Sequence, residues 1–132
     1  LRCCSHFCLY LVIRCGGANQ RKLKQKQKQN NMKVYVAGKI TGEEILPCYN
    51  KFQSKCVELQ NELALLPKYT INPLRISGIH FGISHEEAMR LCFEALKSCT
   101  HAYFLKDWKD SKGAKMEHQF CIENGIKIMY EK

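Results

Sequence analysis

Residues 32–132 predict a three-layer α/β domain of the Rossmann or flavodoxin kind, with a parallel sheet of about four or five strands. Two observations lead to this prediction. Short β-branched and aromatic runs alternate along the chain with longer segments whose apolar residues recur every three or four positions. A length of 132 residues with 45% hydrophobic residues suffices for one core and is short for two domains. Strands that alternate with helices pair in parallel and are covered on both faces.

The first half of the domain contains two predicted strands and one helix. The run KVYVA at 33–37 predicts a buried first strand. From Pro47 to about Leu66 the apolar spacing predicts a helix, which Pro67 ends. The helical face consists of Phe52, Cys56, Leu59, Leu63 and Leu66. The run 69–71 predicts a brief strand that ends before Asn72-Pro73, because a residue before proline favours extended geometry.

The second half predicts two further helices, each followed by a strand. Residues 84–87 (SHEE) have the form of a capping box, in which Ser84 accepts from the helix start and Glu87 reaches back. The run 99–105 predicts the next strand. A last helix is expected from about Ser111 to Asn124, with Gly125 just beyond its end, and 126–130 supplies the last strand.

The positive charge lies almost wholly in the leading segment. The formal net charge is +9, but residues 1–31 contain seven Lys or Arg and no acid, which leaves +2 for residues 32–132. A nearly neutral domain lacks the basic face that nucleic-acid binding requires. The sequence therefore predicts no nucleic-acid polymer as partner.

The nine cysteines do not form a recognisable framework. Four lie in residues 1–31, and the other five are scattered among apolar positions without a CxxC pair. Free cysteine commonly behaves as a small buried hydrophobe, and a zinc site needs grouped ligands. We therefore expect buried thiols in a reducing, cytoplasmic compartment, with no metal. The five body cysteines are Cys48, Cys56, Cys92, Cys99 and Cys121.

Residues 1–31 predict a segment outside the folded domain. The apolar run 7–13 is shorter than the roughly 20 residues that cross a bilayer, so no membrane contact is expected. Arg14 and a Lys/Gln-rich tract follow where a signal peptide needs a cleavage site. We expect this segment to be disordered or not natively translated, with the natural start at Met32. A basic tail that contacts RNA or acidic lipid is the alternative.

Three predicted loops lie where a parallel sheet binds ligands. Ligands of open α/β sheets bind beyond the carboxyl ends of the strands, at the point where the strand order reverses. This rule selects residues 38–44, 72–83 and 106–115. The glycines of these loops could admit a phosphate, or could simply form tight turns.

Glu117 is the candidate functional carboxylate. It shares a predicted helix face with small and apolar residues: Gly113, Ala114, Phe120, Cys121 and Asn124. Burial of a carboxylate is costly, and functional sites are where that cost is tolerated. The alternative is that Glu117 pairs with a lysine or with its own helix start.

Three stretches carry a family resemblance. They are MKVYVAGKITG at 32–42, the Asn72-Pro73 pair, and CTHAYFLKDWKDSKGAKMEH at 99–118. The chain resembles the nucleoside 2-deoxyribosyltransferase-like superfamily, and especially its small uncharacterised members from phage and bacteria. The resemblance implies cleavage of a nucleoside or nucleotide N-glycosidic bond, or 2-deoxyribosyl transfer, without a cofactor. It also implies a homodimer or larger homo-oligomer.

The resemblance assigns roles to individual residues. Glu117 is expected to attack C1′ and Tyr35 to orient it, although Tyr35 could equally be ordinary strand packing. Asp110 is a candidate proton donor, or else a solvated turn residue. Trp108 is expected to form a wall for the base, or to cover the edge of the core. The expected substrate-binding residues are Gly38, Lys39, Ile40, Thr41, Asn72, Pro73, Trp108, Ser111, Gly113 and Ala114.

The sequence departs from the family pattern at four positions. The acid expected on the preceding helix falls near Cys92, with Glu94 as the only nearby carboxylate, and the acid expected at the start of the next strand appears as Thr100. Lys39 stands where a proline is common, and Asp107 where a glycine is. A non-catalytic nucleotide-binding or sensing module is therefore the alternative function, and an interaction protein with a vestigial pocket is the third.

Overall fold

Four parallel strands form the sheet in the part of the chain that the structure, a computed structural model, describes, residues 31–132. They are β1 (Val34–Ala37), β2 (Thr70–Ile71), β3 (His101–Phe104) and β4 (Lys127–Tyr130). Their order is β2-β1-β3-β4, and every pair is parallel. The predicted fold class and the parallel sheet are confirmed. The expectations for the leading segment lie outside the described residues.

Three helices cover the sheet: α1 (Ile45–Glu62), α2 (His85–Lys97) and α3 (Lys112–Glu123). Short 3₁₀ helices follow α1, β2 and β3, at Pro67–Tyr69, Pro73–Arg75 and Lys106–Asp110. Helix α1 packs on one face of the sheet, and α2 and α3 pack on the other. None of these helices combines the length and the apolar character that a bilayer crossing requires.

Strand β1 is the centre of the domain. It pairs with β2 on one side and with β3 on the other, and all four of its residues are fully buried. Because strand side chains alternate between faces, Val34 and Val36 pack against α1, whereas Tyr35 and Ala37 pack against α2 and α3. Tyr35 therefore lies on the side of the sheet that carries Glu117.

The ends of α2 and α3 follow the predicted signals, with one correction. The Ser84 hydroxyl accepts from the Glu87 amide at the start of α2. Glu87 does not complete the capping box, because its carboxylate pairs with Arg90 one turn later. Gly125 has a φ of 68°, the left-handed conformation expected after the end of α3.

Helix α1 differs from the prediction at both ends. It begins two residues before Pro47 and ends at Glu62, well before Pro67. Ala64 has a φ of 52°, which turns the chain out of the helix and lets Leu65 fold back into the core. Leu66, expected on the helical face, is 59% exposed. The predicted strands are also longer than the observed ones by one to three residues.

The five cysteines of the described residues are buried free thiols, as predicted. Cys48 and Cys56 of α1 pack with the cluster on one face of β1. Cys92, Cys99 and Cys121 pack on the other face, beside Tyr35. They act there as small apolar side chains.

Phe52 of α1 is fully buried, whereas Phe81 is 88% exposed. We expect Phe52→Ala to lower the free energy of unfolding by about 3–5 kcal/mol, because it removes a buried ring and leaves a cavity. Phe81→Ala is the matched control and should change it by less than about 0.5 kcal/mol. Urea denaturation of both variants measures the difference, and equal effects would contradict the packing of α1 on β1.

Candidate active site

A cavity of about 790 Å³ opens at the carboxyl ends of the strands. All three loops selected by the sheet topology line it. The first contributes Gly38, Ile40 and Thr41, the second Pro73, and the third the segment from Asp110 to Ala114. Because β1 connects to β2 on one side of the sheet and β3 connects to β4 on the other, the strand order reverses here.

Glu117 lies in this cavity on the second turn of α3. Its side chain is buried, with 5% relative exposure, between the helix and the sheet. Ser111 caps the same helix by accepting from the Ala114 amide at 3.2 Å. Helix periodicity then turns Ala114, Glu117 and Cys121 inward together.

Tyr35 provides the hydrogen bond to this carboxylate. Its hydroxyl donates to Glu117 Oε1 at 2.6 Å, and both groups are buried. The Tyr35 pKa lies well above its usual range, because burial and then the nearby Glu117 charge both disfavour the phenolate. The tyrosine therefore keeps its proton and acts as a fixed donor.

Burial changes the acidity of Glu117. Loss of solvation raises the pKa of the carboxyl to about 7, and the hydrogen bond from Tyr35 opposes that increase. Glu117 thus changes charge close to neutral pH. Carboxyl groups that act as acids, bases or nucleophiles commonly have shifted pKa values of this kind, and so do some carboxyl groups in structural networks.

Cys92 of α2 is the third group at this position. Burial and the Glu117 charge raise the pKa of its thiol to about 12. The nearby thiol in turn lowers the pKa of Glu117. At the position where the resemblance expects an acid, this chain therefore has a neutral thiol.

Gly113 leaves the cavity open beside α3. A Cβ at this position would lie 3.1 Å from Met89 Sδ and 3.6 Å from His85 Cε1. The first distance is shorter than a Cβ normally approaches another atom, so any other residue here would have to displace Met89. The glycine thus lets His85 and Met89 of α2 approach the first turn of α3 closely.

An ion pair clamps the loop after β1. Lys51 Nζ lies 2.6 Å from Asp107 Oδ2 and donates to the Lys39 carbonyl at 3.0 Å. Asp107 Oδ1 accepts from the Lys39 amide at 3.1 Å. Both backbone groups of Lys39 are therefore held, and Gly38 packs so closely that a Cβ would lie 2.8 Å from Leu105 Cδ1. This fixes the loop that borders the cavity.

The structure does not bring every expected residue to the cavity wall. Trp108 stacks on His118 at 4.3 Å and meets Phe104 edge-on, so it covers the edge of the core, which was the alternative to forming a wall for the base. Asn72 is buried and caps the 3₁₀ helix after it by accepting from Leu74 N. The Lys39 ammonium pairs with Glu43 at 3.1 Å.

The other expected residues lie at or directly behind the cavity. Tyr35 lies behind Glu117, and Asp110 is exposed at the cavity. Residues 79–83 of the predicted second loop also line the cavity, and so do His85 and Met89 of α2, which no sequence signal assigned to it. The capping signal at Ser84 places His85 at the start of α2, which faces the cavity, but nothing local shows which way its ring points.

Comparisons with known proteins identify the family. The family model for a domain of unknown function (DUF4406) matches residues 32–130, and the chain belongs to this family. No curated protein and no solved structure matches the chain. The resemblance to the nucleoside 2-deoxyribosyltransferase-like superfamily stays a prediction.

The burial of Glu117 predicts a pH-dependent stability. The folded chain holds this proton more tightly than the unfolded chain, whose carboxyl titrates near 4.5, so the stabilisation is complete below pH 4.5. This stabilisation is lost as the pH rises from 4.5 to about 7, and the free energy of unfolding falls by about 3 kcal/mol in total. Glutamine does not ionise, so Glu117→Gln should lack this loss of stability and should be more stable than the wild-type protein at pH 8.

Urea denaturation at several pH values between 4 and 8 measures the effect. Glu123→Gln, which alters an exposed carboxylate at the end of the same helix, should keep the wild-type pH dependence. A Glu117→Gln protein with the wild-type loss of stability would show that the carboxyl is solvated.

Proposed function

We propose that this chain cleaves the N-glycosidic bond of a nucleoside or nucleotide, or transfers its 2-deoxyribosyl group, with Glu117 as the nucleophile. The observation that supports this most directly is the buried Glu117 carboxyl, held by Tyr35 at 2.6 Å beside an open cavity. A carboxylate fixed at a cavity is the feature that retaining glycosidases require.

The proposed reaction has two steps, formation of a glycosyl ester on Glu117 and its hydrolysis. A Glu117 oxygen forms a bond to C1′ while the bond between C1′ and the base nitrogen breaks, and that electron pair leaves with the base, which takes up a proton. Water then attacks C1′ of the glycosyl ester, gives up a proton, and releases the sugar and the carboxylate. If a second base attacks instead of water, the result is transfer.

The surroundings of Glu117 suit this role. Tyr35 donates to Oε1, so it fixes the orientation of the carboxylate, and within residues 31–132 Oε2 accepts no hydrogen bond that would oppose its attack. The low dielectric that raises the Glu117 pKa to about 7 also strengthens its attraction to the positive charge that develops on the sugar. Approach of that charge favours the ionised carboxylate.

The size and lining of the cavity support a nucleoside-sized substrate. About 790 Å³ lies within the 300–1,000 Å³ of typical small-molecule sites. The wall is mostly apolar, with Pro73, Met89 and Ala114, and polar groups cluster at the start of α3. That start, with Ser111 and Lys112, is where a 5′-phosphate would be favoured. A homo-oligomer and a cytoplasmic location stay predictions.

The test is release of free base by the full chain from a panel of deoxynucleosides and their 5′-monophosphates, followed by chromatography. We expect Glu117→Ala to lower turnover on the order of 10⁴-fold, because the covalent step is lost. Wild-type kcat/KM should rise with pH through about 7, because the attacking carboxyl must be ionised. The hydrogen bond from Tyr35 lowers the Glu117 pKa. Its loss in Tyr35→Phe should therefore raise that pKa and move the rise in kcat/KM to higher pH.

Glu123→Gln is again the control and should leave the pH profile unchanged. Turnover that survives Glu117→Ala would contradict the nucleophile. If no base is released while panel members raise the melting temperature, the nucleotide-binding or sensing function replaces the enzymatic one.

A further inference from the structure

Departure of a neutral base requires a proton donor, and the groups that contact Glu117 cannot provide it. Tyr35 is committed to Glu117 Oε1, and burial raises the pKa values of both the Tyr35 hydroxyl and the Cys92 thiol. These groups therefore hold their protons at neutral pH. The donor has to come from elsewhere on the cavity wall.

His85 lines the same cavity as Glu117. It is the first residue of α2, it lines the cavity, and its Cε1 lies 3.6 Å from where a Gly113 Cβ would stand. Gly113 precedes Glu117 by four residues, so the two positions lie about 5–6 Å apart on one face of α3. Helical side chains lean toward the N-terminus of their helix, which is the end of α3 that lies beside His85.

A substrate in the cavity can therefore contact both side chains. In retaining glycosidases the nucleophile and the acid lie about 5 Å apart, with the scissile bond between them. An imidazole is also the side chain that exchanges a proton closest to neutral pH. Within residues 31–132 the His85 ring makes no hydrogen bond, so both of its nitrogens are available.

The other histidine and the other carboxyl groups of the cavity are less suitable. The Glu43 carboxylate is paired with Lys39 at 3.1 Å. His80 Nδ1 bonds to the Phe81 carbonyl at 2.9 Å. The Asp110 carboxylate, the candidate donor of the sequence prediction, is exposed before the start of α3.

We propose that His85, and not Asp110, is the catalytic acid that protonates the departing base. This inference rests on the proposed N-glycosidase or transferase function. As the C1′–N bond breaks, an N–H of the His85 imidazolium passes its proton to the base nitrogen, which leaves His85 neutral. In the second step the neutral ring takes the proton from the water that attacks C1′, which restores the imidazolium.

The test compares substrates that do and do not need an acid. The natural probes are 2′-deoxyguanosine and its 5′-monophosphate, and the matched probes are the same compounds methylated at N7. The methylated purine is a cation, so its base leaves neutral when the glycosidic electron pair returns to the ring, with no proton required. The variants are His85→Ala, His85→Gln and Asp110→Asn, each in the full chain.

We expect both His85 variants to lower kcat/KM on the natural probes about 10²- to 10⁴-fold. On the N7-methylated probes the loss should be less than about threefold after the uncatalysed rate is subtracted. Asp110→Asn should show no such selectivity. Because His85 is exposed, both of its variants should keep the wild-type melting temperature.

Three outcomes would overturn the assignment. Equal losses on natural and methylated probes would show that His85 positions the substrate and does not donate a proton. A selective loss in Asp110→Asn would move the role to that residue. If the wild-type chain cleaves neither kind of probe, the N-glycosidase proposal itself fails for guanine nucleosides. If the wild-type chain cleaves the probes but the His85 variants lose activity equally on both kinds, only the assignment of His85 as the acid fails.

Discussion

The hydrogen bond between Tyr35 and Glu117 is the interaction on which this structure depends most. It joins the central strand to α3 across 82 positions of sequence, and both of its ends are removed from water. A carboxyl group buried without such a donor would carry the full cost of lost solvation. With the donor, the group stays in the interior with a pKa of about 7 instead of being expelled to the surface. The same contact therefore orders the packing of α3 and sets the chemistry of the cavity.

Local sequence patterns predict a helix or strand of this fold well where its start or end depends on residues close by in the chain. The Ser84 cap, the Gly125 turn and the β-branched run of β1 each act through the backbone nearby, so the sequence shows them directly. The end of α1 was missed because Ala64 adopts a left-handed φ of 52° that alanine disfavours. What stabilises this turn is the burial of Leu65, a tertiary effect that no local pattern contains.

The candidate site shows the same division. Periodicity predicts the inward face of α3 and hence the burial of Glu117. It also places His118, one residue later, about 100° away around the helix, where it stacks on Trp108. The resemblance placed Trp108 at the substrate, with the edge of the core as the alternative, and its ring stacks on His118 away from the cavity lining. His85 could not be recognised from spacing, since its position depends on how closely α2 approaches Gly113.

The ion pair that holds the β1 loop accounts together for two of the departures from the pattern of the resembled superfamily. A proline at position 39 would have no amide to donate, and a glycine at 107 would have no carboxylate to accept. Here the Lys39 amide donates to Asp107 at 3.1 Å, and Lys51 holds both the Asp107 carboxylate and the Lys39 carbonyl. A proline ring restricts a loop through its own φ, whereas this ion pair restricts the loop through three residues from separate elements. The two substitutions thus compensate each other, and they keep Gly38, Ile40 and Thr41 in a defined position at the cavity. The departures at 39 and 107 therefore leave the cavity intact, and the departure that bears on the proposed catalysis is the thiol of Cys92, because that proposal then needs a proton donor from another element.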